Sequence, residues 1–215
     1  VGGAVFVREN IENKEILGEK ETSLQQTLHA RAWVLMDADS GRILAEKDAD
    51  TAYPMASTTK ILTCILALEQ GNPDDWVGVS EKAASMPDVQ LNMRAGERYR
   101  LSDLLYSLML ESHNDSAVAV AEHIGGSVEG FAEKMNRKAR EIGCKNVCFV
   151  TPNGLDVADE DGNEHSASAA DMARIMRYCA FQSPCREIFL EITRTASRTI
   201  QDESGNRSFY LANHN

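Results

Sequence analysis

A lysine in the wrong company constrains this chain most. Residues 54–70, "PMASTTKILTCILALEQ", place Lys60 at the head of a run that is otherwise almost wholly apolar. A helix carrying Ile61, Leu62, Ile65, Leu66 and Leu68 is apolar over most of its circumference, so it belongs in the middle of a fold rather than on its surface. An ammonium taken into such a place costs free energy unless it is paired or loses its proton. Ser57 precedes Lys60 by three residues, which puts both side chains on one face of a helix. Serine is a weak nucleophile until a base removes its proton. Burial lowers a lysine's pKa and lets it serve as that base. A free backbone N–H at a helix start can stabilise an oxyanion. Ser57 and Lys60 therefore supply a nucleophile, a base and half an oxyanion hole within one turn. S-x-x-K alone is weak, because average composition produces about one by chance in a chain like this, and a helix cap followed by a snorkelling lysine looks the same.

A second polar interruption adds to it. "LSDLLYSLMLE" (101–111) has helical apolar spacing with Ser102 as its expected cap, and "SAVAVAEHI" (116–124) is helical again. Between them lie Ser112, His113 and Asn114, three polar residues at a bend that should face a cleft. A second hydroxyl can relay a proton to a leaving amine. An asparagine amide can accept from an ammonium and donate to a carbonyl. S-x-x-K followed by S-x-N in these contexts points to serine acyl transfer.

The remaining chain frames these motifs. "ARAWVLMDADSGRILAEKD" (30–48) expects two strands about the Asp39-Ser40-Gly41 turn. "SVEGFAEKMNRKAREIG" and "SAADMARIMRYCAF" expect amphipathic helices, the second starting near Ser168 with Asp171 in its first turn. "CFVTPNGLD" expects a short strand running into a turn, and "EITRTASRTI" and "RSFYLANHN" expect two strands about "QDESGN". Residues 1–28 are polar and weakly helical and are assigned to an N-terminal extension; 29–215 form one domain, with a helical subdomain at roughly 72–165. Strands, helices, then strands again describe an α+β fold, an antiparallel sheet flanked by helices with an all-helical section inserted.

Bulk properties narrow the function. The net charge of −11 argues against nucleic acid as a partner and against electrostatic docking on an anionic membrane. No apolar run reaches the roughly 20 residues of a spanning helix. The chain opens on valine, which is expected of a processed product. Five cysteines at irregular spacing make a poor disulfide framework, and neither they nor the scattered histidines form a zinc pattern. "DVADEDGNEH" (156–165) is acidic, but with Gly162 as turn glycine the first and last calcium ligands fall on Val157 and Ser168, so it reads as a solvated loop. No metal site and no cofactor are expected.

These motifs have a familiar order. "AWVLMDADSGRILAEKDADTAYPMASTTKILT", "LLYSLMLESHNDSAVAVAEHIGGS", "FAEKMNRKAREIG", "FVTPNGLD" and "HSASAADMA" together resemble the serine D-Ala-D-Ala carboxypeptidases, low-molecular-mass penicillin-binding proteins of peptidase family S11 related to the S-x-x-K β-lactamases. The resemblance implies a β-lactamase/transpeptidase-like fold, Ser57 as the acylated nucleophile, Lys60 as its base, and Ser112 and Asn114 as the second motif. It implies an extracytoplasmic enzyme acting on peptidoglycan stem peptides that end in D-Ala-D-Ala, with β-lactams as covalent inhibitors. Two departures stand out. His113 occupies a position where the family commonly has glycine, and its side chain could touch substrate at the cleft rim. The family's third motif, K-T-G, does not occur in the 215 residues; "TRTASRT" (193–199) precedes its place. The expectation is that the last sheet strands and the family's membrane-anchoring tail lie outside these residues, with the strands removed or supplied by a companion chain. A β-lactamase, or a catalytically silent module of the same fold, are the alternatives.

Overall fold

The computed structural model describes residues 3–7 and 28–214. Its elements are β1 (Gly3–Val7), β2 (Trp33–Asp37), β3 (Ile43–Lys47), β4 (Ala52–Tyr53), a 3-10 turn (Ala56–Thr59), α1 (Lys60–Gln70), β5 (Trp76–Gly78), α2 (Glu81–Ala84) and β6 (Arg98–Arg100). They continue with α3 (Leu101–Leu110), α4 (Asn114–Gly125), α5 (Val128–Ile142), β7 (Val147–Cys148), β8 (Ser166–Ser168), α6 (Ala169–Arg177), a π turn (Tyr178–Gln182), α7 (Arg186–Arg194), β9 (Ser197–Gln201) and β10 (Ser208–Ala212).

Helix α1 is the axis of the molecule. Leu62, Cys64, Ile65, Leu66 and Ala67 are fully buried, which covers every side of the helix. Helices α3, α4, α5, α6 and α7 all pack against it. Gly71 ends it: its N–H bonds back to Ala67 O, and a Cβ there would stand 2.5 Å from Leu101 Cδ2. No side chain fits between α1 and the start of α3. Pro73 follows and stops any continuation.

Strands β2 and β3 form the expected antiparallel hairpin, closed where Ser40 N–H donates to Asp37 Oδ1 at 2.8 Å and Gly41 takes a φ of +75°. Val34 and Met36 pack on Ala169, Ala170 and Ala173 of α6, giving a small core separate from the one around α1. The expected N-terminal extension needs correcting. Gly3–Val7 pairs in parallel with β2, Gly3 opposite Trp33 and Val7 opposite Asp37, so it caps an edge that would otherwise present unpaired backbone. "GAVFV" is an apolar, β-favouring run within an otherwise polar stretch. The rest of that extension, 8–27, lies outside the described residues.

The chain leaves the sheet after β4 and returns at β8, and these two strands pair with each other, Tyr53 opposite Ala167. The inserted section, expected to be all-helical, is not: β5 and β6 form a two-stranded ribbon inside it. Helix α3 starts without a side-chain cap, since Ser102 is inside the helix and its N–H bonds to Pro73 O. "EITR" (191–194), expected as strand, is helical at the end of α7, in which Phe189 and Ile192 turn inward at i and i+3. The strands of "EITRTASRTI" and "RSFYLANHN" shrink to β9 and β10, which pair antiparallel. Among the described residues no helix is long and apolar enough to cross a membrane, and the five cysteines are free thiols.

Two buried carboxylates fix loops to this frame. Asp171, fully buried on α6, accepts from the N–H groups of Lys145 and Asn146 and pairs with Arg174. Its part is larger than the helix-start role expected. Asp115, 1% exposed, accepts from Leu91 N at 3.0 Å and Met93 N at 3.1 Å, so it holds residues 87–93 beside α4. Asp115→Ala strands two buried N–H groups and should cost about 2–4 kcal/mol. Urea titration measures it; a loss below about 1 kcal/mol would mean that these bonds do not hold the loop.

Candidate active site

Ser57 sits in the 3-10 turn, one step before α1, rather than in the α-helix itself. Tighter winding eclipses positions i and i+3, so the i, i+3 pairing expected from the sequence survives. Lys60 Nζ lies 3.2 Å from Ser57 Oγ, a hydrogen bond along the face of the turn. The hydroxyl is on the exposed side, whereas Lys60 is 2% exposed. Two further acceptors receive the ammonium: Asn114 Oδ1 at 2.9 Å and the Asn153 carbonyl at 2.8 Å. No carboxylate is among these partners. Burial therefore acts on the amine without a compensating negative charge, and it brings the Lys60 pKa down to about 8. Near neutral pH a useful fraction of Lys60 is a free base beside a serine hydroxyl.

The 112–114 bend reaches the same place through Asn114, which opens α4 two residues earlier than expected. Its side-chain oxygen takes the Lys60 bond and its Nδ2 donates to Pro87 O at 3.1 Å. One amide hydrogen is left for another acceptor. Ser112 has a φ of +63°, a conformation that costs a non-glycine residue about 1–2 kcal/mol. Its Oγ is buried and finds no hydrogen-bond partner among the described residues. The hydroxyl expected to join Ser57 and Lys60 therefore makes no hydrogen bond to either of them.

His113 needs correcting. It does not stand at the rim. The ring is 5% exposed, Nδ1 lies 2.8 Å from Ser107 Oγ, and Nε2 faces Glu111 at 3.5 Å. Ser107 in turn bonds Ser116 at 2.7 Å, so His113 belongs to a buried polar cluster that joins α3 to α4. Burial lowers its pKa, against the smaller opposite pull of Asp115 and Glu111.

Two contributors had no role in the sequence-based site. Asn153 acts through its main-chain oxygen, which leaves no residue-type signature. The loop that carries it is pressed on the 3-10 turn: a Cβ at Gly154, whose φ is +87°, would stand 1.9 Å from Ala56 O. "PNG" announced a turn, but not what the turn touches. Gly154→Ala combines a left-handed φ with a backbone clash and should cost more than about 2 kcal/mol. Calorimetry should register that as a melting temperature lower by about 4–8 °C; an unchanged melting point would mean that the loop does not bear on the turn. His165 is the second, buried at 1% exposure between that loop and Thr59.

The geometry comprises an exposed serine hydroxyl, a buried amine of lowered basicity, an amide-bearing partner and an N–H at a helix start. Such a set can form and break an ester through general-base catalysis.

Comparison with known proteins agrees. Residues 19–215 match the family model described as D-alanyl-D-alanine carboxypeptidase. The chain is 36% identical over 195 residues to the D-alanyl-D-alanine carboxypeptidase DacF of Bacillus subtilis, covering 86% of this chain and 46% of that protein. It is 39% identical over 154 residues to DacA of Haemophilus influenzae, covering 68% and 38%. A D-alanyl-D-alanine carboxypeptidase structure from Mycobacterium tuberculosis superposes with a TM-score of 0.76 at 28% identity, over 86% of this chain and 67% of that one. The chain thus spans about half the length, or less, of these two curated relatives. With its α+β architecture, the chain belongs to the D-alanyl-D-alanine carboxypeptidase family, peptidase S11.

Proposed function

We propose that this chain carries the acylation half of a penicillin-sensitive D-Ala-D-Ala carboxypeptidase that trims peptidoglycan stem peptides outside the cytoplasm. The carrying observation is the 3.2 Å contact between Ser57 Oγ and a Lys60 amine that is buried with neutral partners only. Neutral Lys60 takes the Ser57 proton as Oγ attacks the carbonyl of the penultimate D-alanine. The Ser57 N–H, at the head of the turn, donates to the oxyanion that forms. As the carbon–nitrogen bond breaks, the departing D-alanine amine takes a proton, relayed from the Lys60 ammonium through Ser112. Water then attacks the acyl-serine, giving up a proton to Lys60; as the bond between Ser57 Oγ and the acyl carbon breaks, Lys60 returns that proton to Oγ, and the shortened peptide leaves as a carboxylate, its acid proton going to solvent. A β-lactam opens on Ser57 in the same first step, but its amine stays tethered to the acyl group. Asn114 holds Lys60 at bonding distance and offers its remaining amide hydrogen to the substrate.

The test uses the protein at its natural length. Incubation with an acylated D-Ala-D-Ala peptide should release D-alanine. Incubation with penicillin should add one penicillin mass, mapped by peptide fragmentation to the segment that contains Ser57. No release together with no adduct would refute the reading in favour of a silent module. An adduct that forms and clears within seconds would instead identify a β-lactamase.

A further inference from the structure

The 3-10 turn and the Asn153 loop are far apart in sequence, yet Lys60 is placed by both. Only a few atoms connect them, and one ring is central. His165 Nδ1 accepts from Val150 N at 3.0 Å and Thr151 N at 3.3 Å. With Nδ1 occupied as an acceptor, the ring proton is on Nε2, which lies 2.8 Å from Thr59 Oγ1 and donates to it. Thr59 is the residue before Lys60 and two after Ser57. Phe149 packs edge-on against the ring, with centroids 5.9 Å apart. Thr63 Oγ1, one turn along α1, adds a bond to Pro152 O at 2.7 Å.

We propose that His165 is a positioning residue of the acyl-transfer site, a neutral clamp that holds the 150–154 loop on the Ser57 turn and so keeps Lys60 buried against the Asn153 carbonyl. The inference rests on the serine acyl-transfer reading of Ser57 and Lys60. Two protein N–H groups on Nδ1 admit only the neutral ring, and burial agrees, lowering the His165 pKa to about 4 against a weak opposing pull from Asp156. Asp156, beyond the loop, is the carboxylate whose charge acts on the ring. His113 feels Lys60 through a weak like-charge effect. Lys60's low basicity comes from burial, so whatever opens this loop returns water to the amine and raises its pKa.

Lys60 can be titrated by NMR through its side-chain carbon and nitrogen, without substrate. The wild-type midpoint should fall near 8. His165→Ala should raise it by about one unit or more toward the ordinary lysine value. His165→Gln can still donate at one atom and accept at another, so it should hold the midpoint within about half a unit of wild type. Thr59→Val removes the other end of the clamp and should move the midpoint the same way as His165→Ala, which keeps the proposal testable if that variant fails to fold. A folded His165→Ala or Thr59→Val chain with an unmoved Lys60 midpoint overturns the clamp, as does a glutamine variant that shifts as far as alanine. Lys60 titration reports the clamp alone. Failure of the acyl-transfer reading would appear separately, as absence of a penicillin adduct on wild-type protein.

Discussion

Ser57→Ala should leave a folded chain that forms no covalent penicillin adduct and releases D-alanine at the background rate, a loss of at least about 10⁴-fold. The expectation rests on chemistry that no neighbour can replace. Ser112 is the other hydroxyl of the proposed site, but its Oγ is buried, and of these two serines only Ser57 has a hydrogen bond from Lys60. The structural cost should be small, because Ser57 is exposed and Lys60 keeps its bonds to Asn114 and Asn153. Losing one hydrogen bond at an exposed side chain costs about 1 kcal/mol or less. Intact-mass spectrometry with penicillin reads the first outcome and thermal melting the second. A variant that still acquires one penicillin mass would move the nucleophile elsewhere. A variant that melts far below wild type would make the loss of labelling a folding effect.

Why Ser57 and Lys60 were legible in the sequence is itself physical. A lysine inside an apolar helix is a cost that composition does not hide, and a three-residue spacing fixes a shared face whether the turn is α or 3-10. The hairpin 33–47 was equally plain, since turn chemistry and strand propensity agree there. Signals failed where a contact is made by main chain or depends on distant packing. Asn153 contributes a carbonyl, and His165 works because the nearby 150–151 amides and Thr59, 106 residues away in sequence, face it from opposite sides. His113 illustrates the opposite error. Polar residues at a bend between two apolar helices suggested a cleft rim, but a histidine can be satisfied inside by Ser107 and Glu111. The strand expected over "EITRTASRTI" starts too early, at Glu191, because Ile192, Thr193 and Thr195 favour β; residues 191–194 instead complete α7, where packing of Ile192 against the core overrides that preference.

Lys60→Met should reduce acylation by about 10²–10⁴-fold, the usual weight of a positioned general base, and remove a pH dependence as well. With a pKa near 8, about a tenth of wild-type Lys60 is neutral at pH 7, so the acylation rate should climb roughly tenfold and level off above about pH 9. The methionine variant has no such limb. Stability moves in a way that separates base from strut. Burial lowers the folded-state pKa of Lys60 below its unfolded value of 10.5, so the unfolded chain holds this proton more tightly. The penalty of burying the charge is therefore full below about pH 8 and is relieved as pH rises from there to 10.5. Wild type should gain about 3 kcal/mol on Lys60→Met across that window. At pH 7 the variant loses the ammonium's bonds and strands Asn114 Oδ1 and the Asn153 carbonyl, but it no longer buries a charge. These effects oppose each other, and the melting temperature at pH 7 should shift by less than about 4 °C. Denaturant titrations of both proteins from pH 7 to 10.5 measure the difference. Parallel stability curves across that range, or a methionine variant that keeps the acid limb near 8, would mean that Lys60 is not the proton acceptor.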